Sequence, residues 1–458
     1  MTARSILDDA KLSRFHVKTA AFGTAGQFCD GYILGIIAPA LPVFARTHEV
    51  SPVMAGLLGA SALVGLFVGS LVFGWLTDRI GRRRMFVFDL LAFVLLSLAQ
   101  LAVTDSLWLL VLRFLLGIAV GADYSIAPTL VAEFAPRRYR AALLAAGPAM
   151  WTIGYVLAFA VGAAMASMGD DSWRWMLATS AIPAAALLLM RVSTPESPRW
   201  LIRNGRADEA LAILRKHVKP DAQLSDLDEE PEGQARLRDV FAIAHRRRLA
   251  FACLFWFCQV VPYFAVFTFL PDIFGALTVA SGFWQTMVVN LFLLIGGLLG
   301  IVTIDLVRRR TYTLTSFTLL LLSALAIGLW HNASATYVIV CIALFALVSS
   351  ALAALDTVYP SEMFPTSIRA TATGICVAFS RIGAAIGTFL LPIGMSAYGV
   401  HTVTLIAAGI VAAGLWISAS WAPETRGLTL TAAGANPPSP RTQATPASDG
   451  GAPSHTPH

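Results

Sequence analysis

The chain has 458 residues, of which 57% are hydrophobic and 13% charged, and its mean hydropathy is +0.70. About a quarter of the residues of a soluble protein are charged, so this composition excludes a large soluble helical protein. The net charge of +6 does not indicate nucleic-acid binding, because the basic residues fall in alternate loops between apolar runs, as cytoplasmic loops do.

Apolar runs of membrane-spanning length recur along the chain. Backbone polar groups in hydrocarbon must be satisfied within the segment, so each run is predicted to be a helix. The sequence therefore predicts an all-α membrane protein surrounded by the lipid bilayer. Its twelve transmembrane helices are predicted at residues 20–44, 53–76, 85–103, 107–131, 140–166, 173–191, 249–274, 281–304, 312–330, 334–358, 370–398 and 401–421.

Lysine and arginine set the predicted orientation. They concentrate in alternate loops, so both termini are expected in the cytoplasm. The N-terminus has no cleavable signal pattern, and the expected location is the inner (plasma) membrane. The predicted organisation is a first six-helix bundle at 1–191, a cytoplasmic linker at 192–248, a second six-helix bundle at 249–422 and a disordered, cytoplasmic tail at 423–458.

The two halves repeat one another. The sequence Glu133-Phe-Ala-Pro136, followed by Arg140, is echoed by Glu362-Met-Phe-Pro365, followed by Arg369. Parallel repeats of six helices, with a site near the middle of the membrane, are typical of alternating-access transporters.

Several motifs resemble a known family. The segment GWLTDRIGRRR is similar to the loop 2–3 signature of the major facilitator superfamily. The segments RFLLGIAVG, VAEFAPRRYRA, PESPRWLIRNGR, YPSEMFPTSIRATATG and PETRGLTL resemble its sugar-porter branch. The resemblance covers residues 15 to 430 and implies the superfamily fold and secondary transport, without fixing the substrate.

Acids and arginines recur at the predicted cytoplasmic helix ends, where they can pair. One interpretation is solvated loops with a positive bias, but that bias needs no carboxylates. In the resembled family these groups latch the two bundles when the site faces outward. The predicted gating residues are Asp78, Arg79, Gly81, Arg82, Arg83, Glu133, Arg140, Glu196, Arg199, Asp305, Arg308, Arg309, Glu362, Arg369 and Glu424.

Asp30 and Asp123 are the candidate proton carriers. Counted along their helices, both lie about 15–18 Å from the cytoplasmic side, where burial favours the neutral, protonated acid. The alternative is a structural hydrogen bond. Arg113 matches the arginine that partners a first-helix acid in sugar porters, but that acid's position is Ile33 here. We therefore expect Asp30 to couple to Asp123 and Arg113 to act as an outer counter-ion.

Arg381 and Asp356 are the unusual residues of the second half. A guanidinium near mid-membrane could bind a substrate carboxylate or phosphate, or it could pair with Asp356; both alternatives stay open. The polar pattern that sugar porters use for hexoses is largely missing. The other predicted lining residues are Gln259, Tyr32, Tyr124, Trp151, Tyr155, Tyr263 and Trp284.

These residues predict a proton-coupled symporter of a small organic metabolite, an acid rather than a sugar. No nucleophile–base pair, phosphate loop or metal cluster appears in the sequence, so we predict no enzyme, no metal and no cofactor beyond the coupling proton. The expected protein is a monomer that binds a small-molecule substrate and no nucleic acid. The alternatives are a sugar or drug transporter working by uniport or efflux, and a transporter-like sensor.

Overall fold

The computed structural model describes residues 13–134, 137–191, 196, 198–217, 223, 241, 243–277, 279, 283–304, 306–364 and 366–425. Within these ranges the structure is helical throughout, apart from short connections. The α-helices are α1 Arg14–Gly35, α2 Ile37–Thr47, α3 Pro52–Ile80, α4 Arg82–Ala99, α5 Ser106–Phe134, α6 Arg137–Met165, α7 Ser172–Ala178, α8 Ala181–Arg191, α9 Pro198–Arg203, α10 Ala207–His217, α11 Ile243–Thr268, α12 Leu270–Ala276, α13 Phe283–Thr303, α14 Arg309–Leu329, α15 Ala335–Leu352, α16 Ala354–Met363 and α17 Thr366–Trp421.

Eleven helical stretches of the described chain are long and apolar enough to cross a membrane. The last of them, Thr371–Trp421, has 51 residues, or about 75 Å of helix, which suffices for two crossings of a ~30 Å hydrocarbon core. The chain bends within it at Gly399, whose φ of 80° and ψ of 163° are not helical. The predicted all-helical, twelve-span fold is therefore confirmed, including the break between the last two spans.

Close helix packing within each half depends on glycine. In the first half, α3 packs against α5, and Gly65 and Gly117 lie where the backbones touch. A Cβ at Gly65 would overlap the carbonyl of Phe114, and one at Gly117 would overlap the carbonyl of Ala62. In the second half α13 packs against α15 in the same way, with Gly296 against Leu347. Small residues that let backbones approach are the usual basis of helix association in lipid.

The halves meet along α3 with α17 and along α6 with α13. The end of the bundle at which α1 begins and α17 ends is called the basic face, because the predicted basic loops lie there. At the opposite face, a Cβ at Gly56 of α3 would overlap the carbonyl of Phe389 in α17, and one at Gly59 would lie 3.0 Å from Thr388 Cγ2. The two halves are thus in tight contact at the face opposite the basic one.

Candidate functional site

Three aspartates meet inside the first half. Asp30 of α1 and Asp123 of α5 are fully buried, and Asp89 of α4 is 1% exposed. Among the described residues no N–H or O–H group donates to either oxygen of Asp30. The carboxyl of Asp123 lies within hydrogen-bonding reach of both other acids. Two carboxyls can share such a bond only when one of them carries a proton.

Arg191, the last residue of α8, supplies the positive charge of this group. Its Nη1 lies 3.4 Å from Asp123 Oδ1, and its Nε donates to the carbonyl of Phe22 at 3.0 Å. Its guanidinium lies over the ring of Phe86, 3.8 Å from the ring centroid. A Cβ at Gly26 would lie 2.7 Å from both Arg191 Nη2 and Asp123 Oδ1. Only a residue without a side chain lets α1 pass this close to the ion pair.

Arg113 contacts neither candidate proton carrier. It is buried, and its Nη1 donates to the carbonyl of Ile33 at 2.8 Å, three residues before Ile36, which separates α1 from α2. No carboxylate oxygen of the described residues lies within 4.0 Å of it. The structure thus brings Asp30 together with Asp123. Arg113 instead bonds to the backbone of Ile33, the position at which sugar porters carry the acid.

Arg381 lies at the seam between the two halves. Its guanidinium lies 5.1 Å from the ring centroid of Tyr124 in α5 and 5.7 Å from that of Phe264 in α11. The side chain is 7% exposed, and its Nε has no acceptor among the residues that the structure describes. An arginine stacked between rings from both halves is stabilised by cation–π interaction, while its Nε–H remains available to an anion.

Asp356 is close to Arg381 but is not its direct ion-pair partner, since the closest charged atoms of the two are more than 4.0 Å apart. With its amide nitrogen turned towards the acid, Gln259 donates to both oxygens of Asp356, at 2.6 and 3.1 Å. Tyr263 lies close enough to Arg381, Tyr124 and Asp356 to interact electrostatically with each of them. Four predicted lining residues and Arg381 therefore do converge.

Aromatic residues extend this wall into α6. The indole of Trp151 stacks on the ring of Tyr155 at 5.1 Å and meets Phe264 edge-on at 6.2 Å. The other two predicted lining aromatics lie elsewhere. The Tyr32 hydroxyl bonds to Thr179 Oγ1 at 2.9 Å. Trp284 is 76% exposed near the start of α13, so its prediction as a lining residue is wrong; the helix register turns it to the outside.

Two of the predicted gating residues form an ion pair within the second half. In the second half Arg309 Nη2 lies 3.1 Å from Glu362 Oε1. Glu424 accepts the backbone N–H groups of Arg309 and Arg310 at 3.1 and 3.3 Å, at the start of α14. In the first half Glu196 lies at Gly81, whose φ is 104°, just before α4. The same motif position in each half thus lies at the start of a helix, and in the second half its carboxylate accepts hydrogen bonds from that helix.

Two further predicted gating residues, Arg79 and Arg308, lie at the basic face, at the end of α3 and the start of α14. The remaining side chains lie outside the described residues, as does the tail from 426 onward. These residues are Asp78, Arg82, Arg83, Glu133, Arg140, Arg199, Asp305 and Arg369.

Asp89 and Arg191 were not among the residues predicted from the sequence. An aspartate inside the apolar run 85–103 was itself a signal, because such a charge is costly in hydrocarbon. Arg191 gave no such signal. It ends a span at the basic face, where the positive-inside bias alone accounts for an arginine, and only packing shows that it turns inward to Asp123.

Comparisons with known proteins agree on one family. A family model described as Sugar (and other) transporter matches residues 17–435. The inner membrane metabolite transport protein YgcS of Escherichia coli is 40% identical over 428 residues, which cover 93% of this chain and 96% of that protein. The putative metabolite transport protein YaaU of the same organism is 38% identical over 426 residues, covering 92% and 95%.

A solved structure has the same fold. The xylose transporter XylE from E. coli, in a partially occluded inward open conformation, aligns with a TM-score of 0.77 at 21% identity. The alignment covers 91% of this chain and 100% of that one. These relatives and this structure are transporters and not enzymes.

Proposed function

Since the chain belongs to the sugar (and other) transporter family, whose members are membrane transporters and not enzymes, we propose that it is a proton-coupled symporter of a small organic anion. It works by alternating access in the inner membrane, with both termini in the cytoplasm, so the basic face is the cytoplasmic one. The division into bundles at 1–191 and 249–422, a linker at 192–248, a monomeric state and the absence of a cofactor other than the proton are parts of the same proposal.

The proposal of an anionic substrate rests on Arg381. Among the described residues this buried guanidinium has no direct carboxylate partner, so it has lost its hydration without gaining an ion pair. Its forked N–H groups match a carboxylate better than they match a hydroxyl. A substrate carboxylate at this point would neutralise Arg381 while its apolar part packs on Trp151 and Phe264.

The proton is carried by Asp30 and Asp123 in this proposal. Asp30 is fully buried, and no N–H or O–H group of the described residues donates to it, so no hydrogen bond there offsets the cost of burying a negative charge. An anion and a proton that cross together add no net charge to the membrane interior. Arg381 thus binds the anion and the aspartates carry the proton, and the two ions together are neutral.

A sugar is the second candidate. The buried indole N–H of half-buried Trp151 has no acceptor among the described residues, and an aromatic wall near Gln259 suits a sugar ring as well as an aromatic acid. A sugar, however, has no negative charge to pair with that of Arg381. The two candidates therefore differ in whether the ligand must be charged.

A thermal-shift screen with matched ligands separates them. The purified protein is heated with gluconate or D-glucose, and with benzoate or benzamide, alongside a wider panel of acids and their neutral amides. We expect acids to raise the melting temperature of the wild type, neutral counterparts to leave it unchanged, and Arg381→Gln to lose the shift. Stabilisation by the sugars or amides, but not by their acids, would contradict an anionic substrate.

A further inference from the structure

The acid cluster of the first half, made of Asp30, Asp89, Asp123 and Arg191, holds more negative than positive groups. Three carboxyls face one guanidinium, and each of the four side chains is at least 97% buried. Four elements contribute, since Asp30 is on α1, Asp89 on α4, Asp123 on α5 and Arg191 on α8. With every acid ionised the cluster would carry two uncompensated negative charges in a medium that solvates them poorly. It is neutral only with two bound protons.

Counted along their helices, Asp89 lies nearer the basic face than Asp123. Arg191 ends α8 at the basic face, and Asp89 is seven residues into α4, or about 10 Å from the same face. Asp123 is eleven residues before the end of α5, or about 16 Å from it. Asp30 lies within hydrogen-bonding reach of Asp123 but not of Asp89. The acids thus form a row with Asp123 in the middle and Asp89 at the end nearer the basic face.

We propose that Asp89 is the carboxyl through which Asp123 exchanges its proton with the cytoplasm, and that Arg191 is an internal cation that competes with that proton for Asp123. This inference rests on the proposed function, because it names how the coupling proton leaves. The proton moves from Asp30 to Asp123 to Asp89. Each step breaks one O–H bond and forms another on the next carboxyl.

The contacts of Arg191 suit a cation that competes with the proton for Asp123. When Asp123 is ionised, the ion pair at 3.4 Å balances its charge. When Asp123 is protonated, the guanidinium keeps its bonds to the carbonyls of Phe22 and Gly23 and its contact with Phe86. Arg191 is therefore satisfied in both states and can return to Asp123 as soon as the proton leaves.

The position of Asp89 suits a relay. Its Oδ2 has no donor among the described residues, while its carboxyl lies within hydrogen-bonding reach of Asp123. A purely structural aspartate in a membrane helix would have both oxygens satisfied by fixed donors. A free oxygen next to an acid that binds a proton is what a transfer step needs.

Infrared spectroscopy of the full-length protein in liposomes tests the proposal without any substrate. The carbonyl stretch of protonated carboxyl groups is followed during pH titration and during exchange into D₂O, with the proton itself as the probe. We expect Asp89→Asn to slow exchange of the remaining carboxyl band at least tenfold. We expect Arg191→Gln to keep that band to a pH at least one unit higher than in the wild type.

Two further variants guard against trivial loss of folding. Arg191→Lys keeps the charge and should titrate as the wild type does, while Ser97→Ala removes another buried polar group of α4 and should leave exchange unchanged. Exchange in Asp89→Asn at the wild-type rate, or identical titration of Arg191→Gln and the wild type, would overturn the proposal. If the carboxyl bands behave as expected but the wild-type protein shows no gradient-driven uptake, the relay stands and only the proposed function is refuted.

Discussion

The guanidinium of Arg381 lies over the ring of Tyr124, 5.1 Å from its centroid, so a residue of α17 rests on one of α5. This contact joins the two halves at the depth where the substrate is proposed to bind. Tyr124 directly follows Asp123 in the chain. An anion that draws Arg381 away from Tyr124 would therefore act next to the acid cluster, which gives substrate and proton a short physical connection.

Arg113 and Arg191 are expected to differ in their importance for coupling. Arg113 bonds to a backbone carbonyl and pairs with no acid in the described part of the chain, whereas Arg191 pairs with Asp123. Arg113→Met should therefore reduce proton-driven accumulation less than Arg191→Gln does, as measured by uptake into proteoliposomes with and without a pH gradient. Loss of coupling in Arg113→Met with coupling kept in Arg191→Gln would show that Arg113 is the counter-ion.

Gly26 allows α1 to approach the Asp123–Arg191 pair. A methyl group there would press on the ends of both side chains, and not on backbone, so Gly26→Ala should separate the pair without preventing folding. We expect reduced proton-driven accumulation at nearly unchanged melting temperature. Gly374→Ala is the matched control, because nothing lies within 4 Å of its added carbon. Equal activity of the two variants would show that the pair tolerates displacement.

Glu424 acts as a cap for α14 from a distant point in the chain. Its carboxylate accepts two backbone N–H groups at the start of that helix. Glu424→Ala should cost about 0.5–2 kcal/mol of stability, as the loss of an N-cap does, and should lower the melting temperature. Glu209→Ala, which removes an exposed pair with Arg206 on α10, should leave it unchanged. A larger drop in melting temperature for Glu209→Ala than for Glu424→Ala would contradict this role.

Gly56 permits closure at the face opposite the basic one. A larger side chain would collide with the carbonyl of Phe389, so Gly56→Val should shift the protein towards conformations open at that face. Thr388→Cys, buried in this structure, should then react faster with a membrane-impermeant maleimide in the Gly56→Val background. Gly409→Val adds a side chain with nothing within 4 Å and should not change the rate. An unchanged rate in both would show that closure does not depend on this contact.

The fold was predictable because each span is a long apolar run and each connection has its own signal. Even the break at Gly399 follows from the length of the last apolar stretch. The site was only partly predictable. Helix spacing placed Asp30 and Asp123 at one depth, but spacing along a chain does not give the rotation of a helix about its axis. That is why Trp284 was misplaced and why the inward turn of Arg191 could not be foreseen.

Asp30→Asn gives the most direct test of proton-coupled symport. The variant cannot carry a proton at the start of the proposed relay, although it keeps the shape of the site. With the carboxylate that the ligand screen selects, we expect gradient-driven accumulation in proteoliposomes to be abolished while counterflow exchange continues. Accumulation by Asp30→Asn at the wild-type level would contradict the proton-coupled mechanism.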